Sequence, residues 1–94
     1  MTEVKDIKNS LRIDHSIDDD MLQSLIETAS NYIIQAIDSN AKEGIIEDYK
    51  QFDWAVSLLT QHWYLNRQEA SSERIPVTVQ SMIQQMRGKY YANH

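Results

Sequence analysis

Between residues 16 and 38 the chain reads SIDDDMLQSLIETASNYIIQAID. Within it Leu22, Leu25, Ile26, Ala29, Ile33, Ala36 and Ile37 follow the helical period without a break. That pattern predicts one apolar stripe along a helix of about twenty residues, roughly 30 Å long. A helix of that kind must lay its stripe against something else. Ser16, with Asp19 three residues on, resembles a capping box in which Asp takes the usual Glu position. Asp18, Asp19 and Asp20 then fall in the first turn, where the positive end of the helix dipole favours them.

The partners for this helix are legible in the rest of the chain. With only two Gly and one Pro in 94 residues, turns are scarce. A many-stranded fold is therefore disfavoured and long helices are favoured. Val4, Ile7 and Leu11 lie on one face of a short first helix, with Thr2 as its N-cap and its end near Arg12 or Ile13. A connector, SNAKEGIIED, follows the long helix. Gly44 suits its turn, Ile45 and Ile46 are expected to tuck under, and Asp48 with Gln51 is the expected next cap. A third helix reads YKQFDWAVSLLTQHWYLNRQ. Phe52, Ala55, Val56, Leu59 and Trp63 form its inner stripe, while Trp54, Leu58 and Leu65 widen the apolar surface beyond what one neighbour covers. EASSER reads as an exposed loop. Ile75-Pro76 opens a last helix with Val79, Met82, Ile83, Met86 and Tyr90 on one side, and the end of the chain, from about Tyr90 to His94, is expected to be a flexible tail. The expected architecture is an all-α bundle of about four helices, one short and three longer, in a single domain over residues 1–94.

Composition narrows the function classes. There is no cysteine, so neither a disulfide scaffold nor a thiolate metal site is available. No apolar run reaches bilayer-spanning length, and MTEVKDIKNSL lacks the apolar block of a signal peptide. No membrane partner is expected, and the protein is expected to stay where it is made. The net charge of −5 is unevenly spread. Residues 1–48 carry eleven acidic and four basic groups, a charge of −7, and residues 49–94 carry three acidic and five basic groups, a charge of +2. Such a chain is a poor general binder of nucleic acid. The asymmetry lets one copy's acidic half meet another's basic half, or leaves two solvated faces.

No cluster of residues suggests reaction chemistry. Three consecutive aspartates on a helix point in different directions and do not converge on one ion. His15, His62 and His94 show no H-x-x-x-H spacing, and no G-x-S-x-G or phosphate-cradling glycine loop is present. No catalytic residue, metal or cofactor is expected, so the chain reads as a non-enzyme. A small DNA-binding regulator of helix-turn-helix type is the rival reading, resting on Arg74, Arg87 and Lys89. The outer face of the last helix, however, is mostly Gln80, Ser81, Gln84 and Gln85, which suits a protein contact at least as well.

The surplus of aromatics is the remaining signal. Trp54, Trp63, Tyr64, Tyr90 and Tyr91 are many for a bundle this small, and aromatics with Arg are enriched where proteins meet. LLTQHWYLNRQEASSERIP, residues 58–76, sets Trp63 and Tyr64 side by side ahead of Arg67. Such a stretch is a catalytic site, a core helix running out of core, or a docking edge. Trp63 continues the inner stripe and is expected inside. Tyr64 and Tyr91 fit the stripe of neither helix and are expected at an interface. The candidate interface residues are Tyr64, Arg67, Gln68, Glu69, Ser71, Ser72, Glu73 and Arg74, with Lys89, Tyr90 and Tyr91 at the far end.

Three pieces of the chain together resemble one family. VKDIKNSLRIDHSIDDDMLQSLIETASNYI resembles the N-terminal region of tailed-phage head–tail connector (adaptor) proteins, also called phage DNA-packaging proteins, through Ile7, Leu11 to Asp14, Asp18 to Asp20, Leu22, Leu25, Ile26, Ala29, Tyr32 and Ile33. AVSLLTQHWYLNRQ is similar to that family's helix ending in His-Trp-Tyr, through Ala55, Leu58, Leu59, His62 to Tyr64, Asn66 and Arg67. IPVTVQSMIQQMR is similar to its Pro-led last helix, through Ile75, Pro76, Val79, Ile83 and Arg87. The resemblance implies a structural adaptor of a tailed phage or prophage. Copies would assemble head to tail into a ring of about twelve, a heterologous contact that closes on itself. It implies three partners besides self: the portal protein above, a stopper or tail-completion protein below, and DNA that passes through the lumen without specific binding. It also implies a place in the virion, after assembly in the bacterial cytoplasm.

Overall fold

The computed structural model describes residues 2–42, 44–66 and 75–93. Four α-helices follow in order: α1 (Val4–Leu11), α2 (Asp19–Ile37), α3 (Lys50–Leu65) and α4 (Val77–Asn93), with a short 3₁₀ turn at Ile46–Asp48 before α3. Among the described residues there is no strand. One short helix and three longer ones match the all-α expectation.

α2 is the spine. Leu22, Ile26, Ala29, Ile33 and Ile37 are all buried, and they step along the helix at intervals of four and three. Burying each of the four large aliphatics contributes about 1.5–3 kcal/mol. Three elements share this face, since α2 packs against α1, α3 and α4. Ile7 of α1 is wholly inaccessible and joins the same cluster as Ile46, Phe52, Val56 and Leu59 from the connector and α3, and Val79, Ile83 and Met86 from α4. α3 touches α1, α2, α4 and the 3₁₀ turn, which is why its apolar surface is broader than a single stripe.

Polar contacts set the directions. At one end of the bundle the Tyr64 hydroxyl near the end of α3 donates to Asp18 at the start of α2, so these two helices run antiparallel. At the other end the Tyr90 hydroxyl of α4 donates to the Asp38 carboxylate at 2.8 Å, and the Tyr91 hydroxyl donates to the carbonyl of Ile37 at 3.0 Å. The ends of α2 and α4 therefore lie together. Gln51, in the first turn of α3, donates to Gln85 of α4 at 2.6 Å.

The helix starts depart from expectation in three places, while α1 ends near Arg12 as expected. Glu3, not Thr2, caps α1, and its backbone N–H is met by the Asp6 carboxylate at 3.1 Å. Thr2 instead donates to the backbone carbonyl of Asp53 at 3.1 Å, pinning the start of the chain to α3. α1 stops at Leu11, because Arg12 turns left-handed at φ 57° and lets the N–H groups of Arg12 and Ile13 reach back to the carbonyls of Asn9 and Lys8. At α2 the capping box does not form. Asp18 is the N-cap residue, its carboxylate serves Tyr64, and Asp19 pairs with Lys8 at 3.0 Å. Before α3, Asp48 closes the 3₁₀ turn and Tyr49 takes the cap position, while Gln51 is drawn across to α4. A long-range partner outcompetes the local cap in all three. Gly44 does supply the turn, at φ 92°, and Ile45 and Ile46 do tuck against the core.

The expected tail at Tyr90–His94 is corrected. α4 continues to Asn93, and Tyr90 is only 6% exposed. The two tyrosine hydroxyls anchor this last turn to the end of α2, which leaves no reason for it to fray. His94 lies outside the described residues.

Candidate functional site

The contacts that close the bundle and the side chains left exposed on it define the candidate surfaces. Two aromatic clasps hold the bundle at opposite ends. In the first, Tyr64 is 6% exposed and its hydroxyl sits 2.5 Å from the Asp18 carboxylate. In the second, Tyr90 and Tyr91 stack edge to face at 5.3 Å, with the Arg87 guanidinium 5.7 Å from the centre of the Tyr91 ring. The backbone N–H of Asn40 and the Tyr90 hydroxyl hold the Asp38 carboxyl below its ordinary range. The same bond to Asp38 raises the Tyr90 hydroxyl above its own.

Tyr64 is buried where a surface position was expected, and Trp63 packs against the core beside it. Tyr64 belongs to the core, and Trp63 is half-buried with its ring edge-on to Tyr32 at 6.2 Å. The reason lies in the row along which α3 packs. Phe52, Val56, Thr60 and Tyr64 form an i, i+4 row, and such rows slant across a helix. A neighbour that follows the slant meets Tyr64 and leaves Trp63 to one side. The sequence does contain a clue, in a buried-type row ending on a tyrosine with an aspartate-rich helix start to receive its hydroxyl.

The surface offers three features to a partner. Large apolar side chains stand exposed at Ile17, Met21 and Leu65, at Val77, and at Trp54 and Tyr91, where Trp54 is 61% exposed and Tyr91 54%. A groove of about 630 Å³ runs between α2 and the start of α3. Ile34 and Phe52 supply its apolar part, and Glu27, Glu47, Asp48 and Asp53 its carboxylates. A smaller depression beside it holds Thr2, Asp6, Asp53, Trp54 and Ser57. Asp53 lines both. Among the described residues no Lys, Arg or His lines either one. Among the described residues, too, no three acidic or imidazole groups converge to hold a metal, and no helix is long and apolar enough to cross a membrane.

A bundle with this order of helices, its exposed aromatics and its Pro-led last helix agrees with the resemblance read from the residues, and comparison decides the family. The family model for the phage gp6-like head-tail connector protein matches residues 1–92. The chain belongs to that family. No curated protein and no solved structure matches it. Head–tail connectors are a structural family whose members assemble with other phage head and tail proteins, which makes this connector a component suited to the virion.

The surface residues expected from the sequence are distributed as follows. Tyr64 and Tyr90 are occupied inside the bundle, Tyr91 and Lys89 are exposed on α4, and Arg67, Gln68, Glu69, Ser71, Ser72, Glu73 and Arg74 lie outside the described residues. Sequence reasoning counts Trp54 among the surplus aromatics without naming it as an interface residue. It also misses the groove carboxylates, because Glu27, Glu47 and Asp53 come together only when α2 and α3 pack.

Proposed function

We propose that this connector forms a ring below the portal of a tailed phage or prophage, joins the DNA-filled head to the tail, and lets DNA through its lumen without chemistry of its own. The family match over residues 1–92 carries this reading. Its neighbours in the particle would be further copies of itself in a ring of about twelve, the portal protein, and a stopper or tail-completion protein. The exposed Trp54 and Tyr91 support a surface that other proteins cover, since large aromatics are enriched where proteins meet. An acidic balance also suits a conduit that must not hold DNA during ejection. Assembly would take place in the bacterial cytoplasm.

The regulator reading is weaker on its own terms. The outer face of α4 carries Gln80, Gln84 and Gln85 with only Arg87 and Lys89 as cations, a poor match to phosphate neutralisation. A salt-dependent DNA shift assay separates the two readings, and specific retardation at physiological salt would favour the regulator.

The test of the connector reading is genetic. Removing the gene from the phage or prophage that carries it should leave DNA-filled heads without tails, seen by electron microscopy and corrected by supplying the protein in trans. Normal tailed, infectious particles from the deletion would refute it.

A further inference from the structure

The acidic groove and an exposed side of α4 are complementary in charge. Val77, Gln80, Gln84, Arg87 and Tyr91 recur at intervals of three and four along α4, and all five are exposed. They form an exposed stripe that flanks the buried one made by Val79, Ile83, Met86 and Tyr90, about a quarter-turn round the helix from it. Residues 75–93 contain no Asp or Glu, so the stripe is apolar at both ends and positive at Arg87. The groove has the reverse character. Glu27 and Glu47 take only hydrogen bonds from Gln23 and the Gly44 N–H among the described residues, and Ile34 and Phe52 supply the apolar part of the lining. Asp48 is set apart from these, because its other side shares a depression with Lys50 and Lys89 of the same molecule.

We infer that a second copy of this chain lays the outer stripe of α4 into the groove between α2 and α3, with Arg87 against Glu27 and Glu47. The inference rests on the connector reading and names the surfaces of its subunit contact. Groove and stripe are different surfaces of one molecule, so the contact is head to tail and each copy keeps one of each free for the next. A second copy is the occupant favoured here because the chain itself carries both complementary charges. Desolvating Arg87 beside carboxylates rewards the matched pairing and penalises like charge, so the register is set electrostatically.

The test is a pair of charge reversals. Arg87 and Glu27 are both exposed, so Arg87→Glu and Glu27→Lys should leave the helical circular dichroism of the free protein unchanged. Each variant alone sets like charges together at every contact, Glu on Glu or Lys on Arg. Sedimentation over a concentration series should show self-association weakened about tenfold or more relative to wild type. An equimolar mixture restores an opposite pair at both kinds of junction, and association should return. Wild-type association should also weaken as salt is raised. If wild type associates and Arg87→Glu associates as tightly, the inference is overturned while the connector reading stands. A wild type that engages only a different phage protein through this groove, or a mixture that fails to recover, overturns it as well. Should wild type stay monomeric at every concentration and on the portal, both the contact and the ring are lost.

Discussion

Replacing Tyr64 by Phe tests the point on which the structure most changes the reading of the sequence. The ring is buried and would stay in place, so the substitution removes the hydroxyl and little else. That hydroxyl donates to a carboxylate at 2.5 Å, and hydrogen bonds to charged groups contribute about 1.5–3 kcal/mol. Asp18 is only half-buried and regains water when the hydroxyl is lost, which places the cost near the lower bound, about 1.5 kcal/mol. For a domain of this size that corresponds to a fall in Tm of about 6–12 °C. Removing the ring too, in Tyr64→Ala, should cost about 3–5 kcal/mol. Urea denaturation followed by circular dichroism measures both. The sharper measurement is a double-mutant cycle with Asp18→Ala, because Asp18 also stands at the start of α2 and its own loss mixes in the helix dipole. The cycle should return a coupling of about 1 kcal/mol. A coupling within about 0.4 kcal/mol of zero would show that the bond between Tyr64 and Asp18 contributes nothing.

Two further stability predictions concern groups inside the bundle. Thr60 is fully buried in α3, and its hydroxyl has no hydrogen-bond partner among the described residues, so Thr60→Val should raise stability by about 1 kcal/mol in the same urea assay. The Asp38 carboxyl is held below its ordinary value of 3.8 by the Asn40 N–H and the Tyr90 hydroxyl. A depressed carboxyl contributes stability above its unfolded value, and that contribution is lost as pH falls through the folded one. Asp38→Asn should therefore be less stable than wild type at neutral pH, with the difference shrinking in acid as the wild type protonates. Thermal melts at a series of pH values below about 5 would show a constant difference if the clasp were not coupled to ionisation.

The apolar stripe of α2 was legible because it is continuous and its period is local, and the same holds for the buried rows of α1 and α4. Family membership was legible for the same reason, being carried by the order of short segments along the chain. The caps were less so. Thr2, Asp18 and Gln51 each carry the right local chemistry, yet each is claimed by a partner far along the chain, Asp53, Tyr64 and Gln85 respectively. Local propensity is worth a kilocalorie or so, and a partly buried long-range bond matches it. The last turn of α4 looked like a tail because nothing near Tyr90 in sequence holds it, whereas its anchor is Asp38 on α2.

What the sequence determined by itself was periodic: which stretches are helices, which side of each is apolar, and how charge divides between the two halves of the chain. What only the tertiary structure decided was angular. The slant at which α3 packs chose Tyr64 for the core and left Trp63 beside it, and the packing of α2 on α3 drew Glu27, Glu47 and Asp53 from distant positions into one groove. A helical period is a property of neighbours three and four residues apart and can be read along the chain. A crossing angle depends on how two finished surfaces interlock, and it exists only once both have formed.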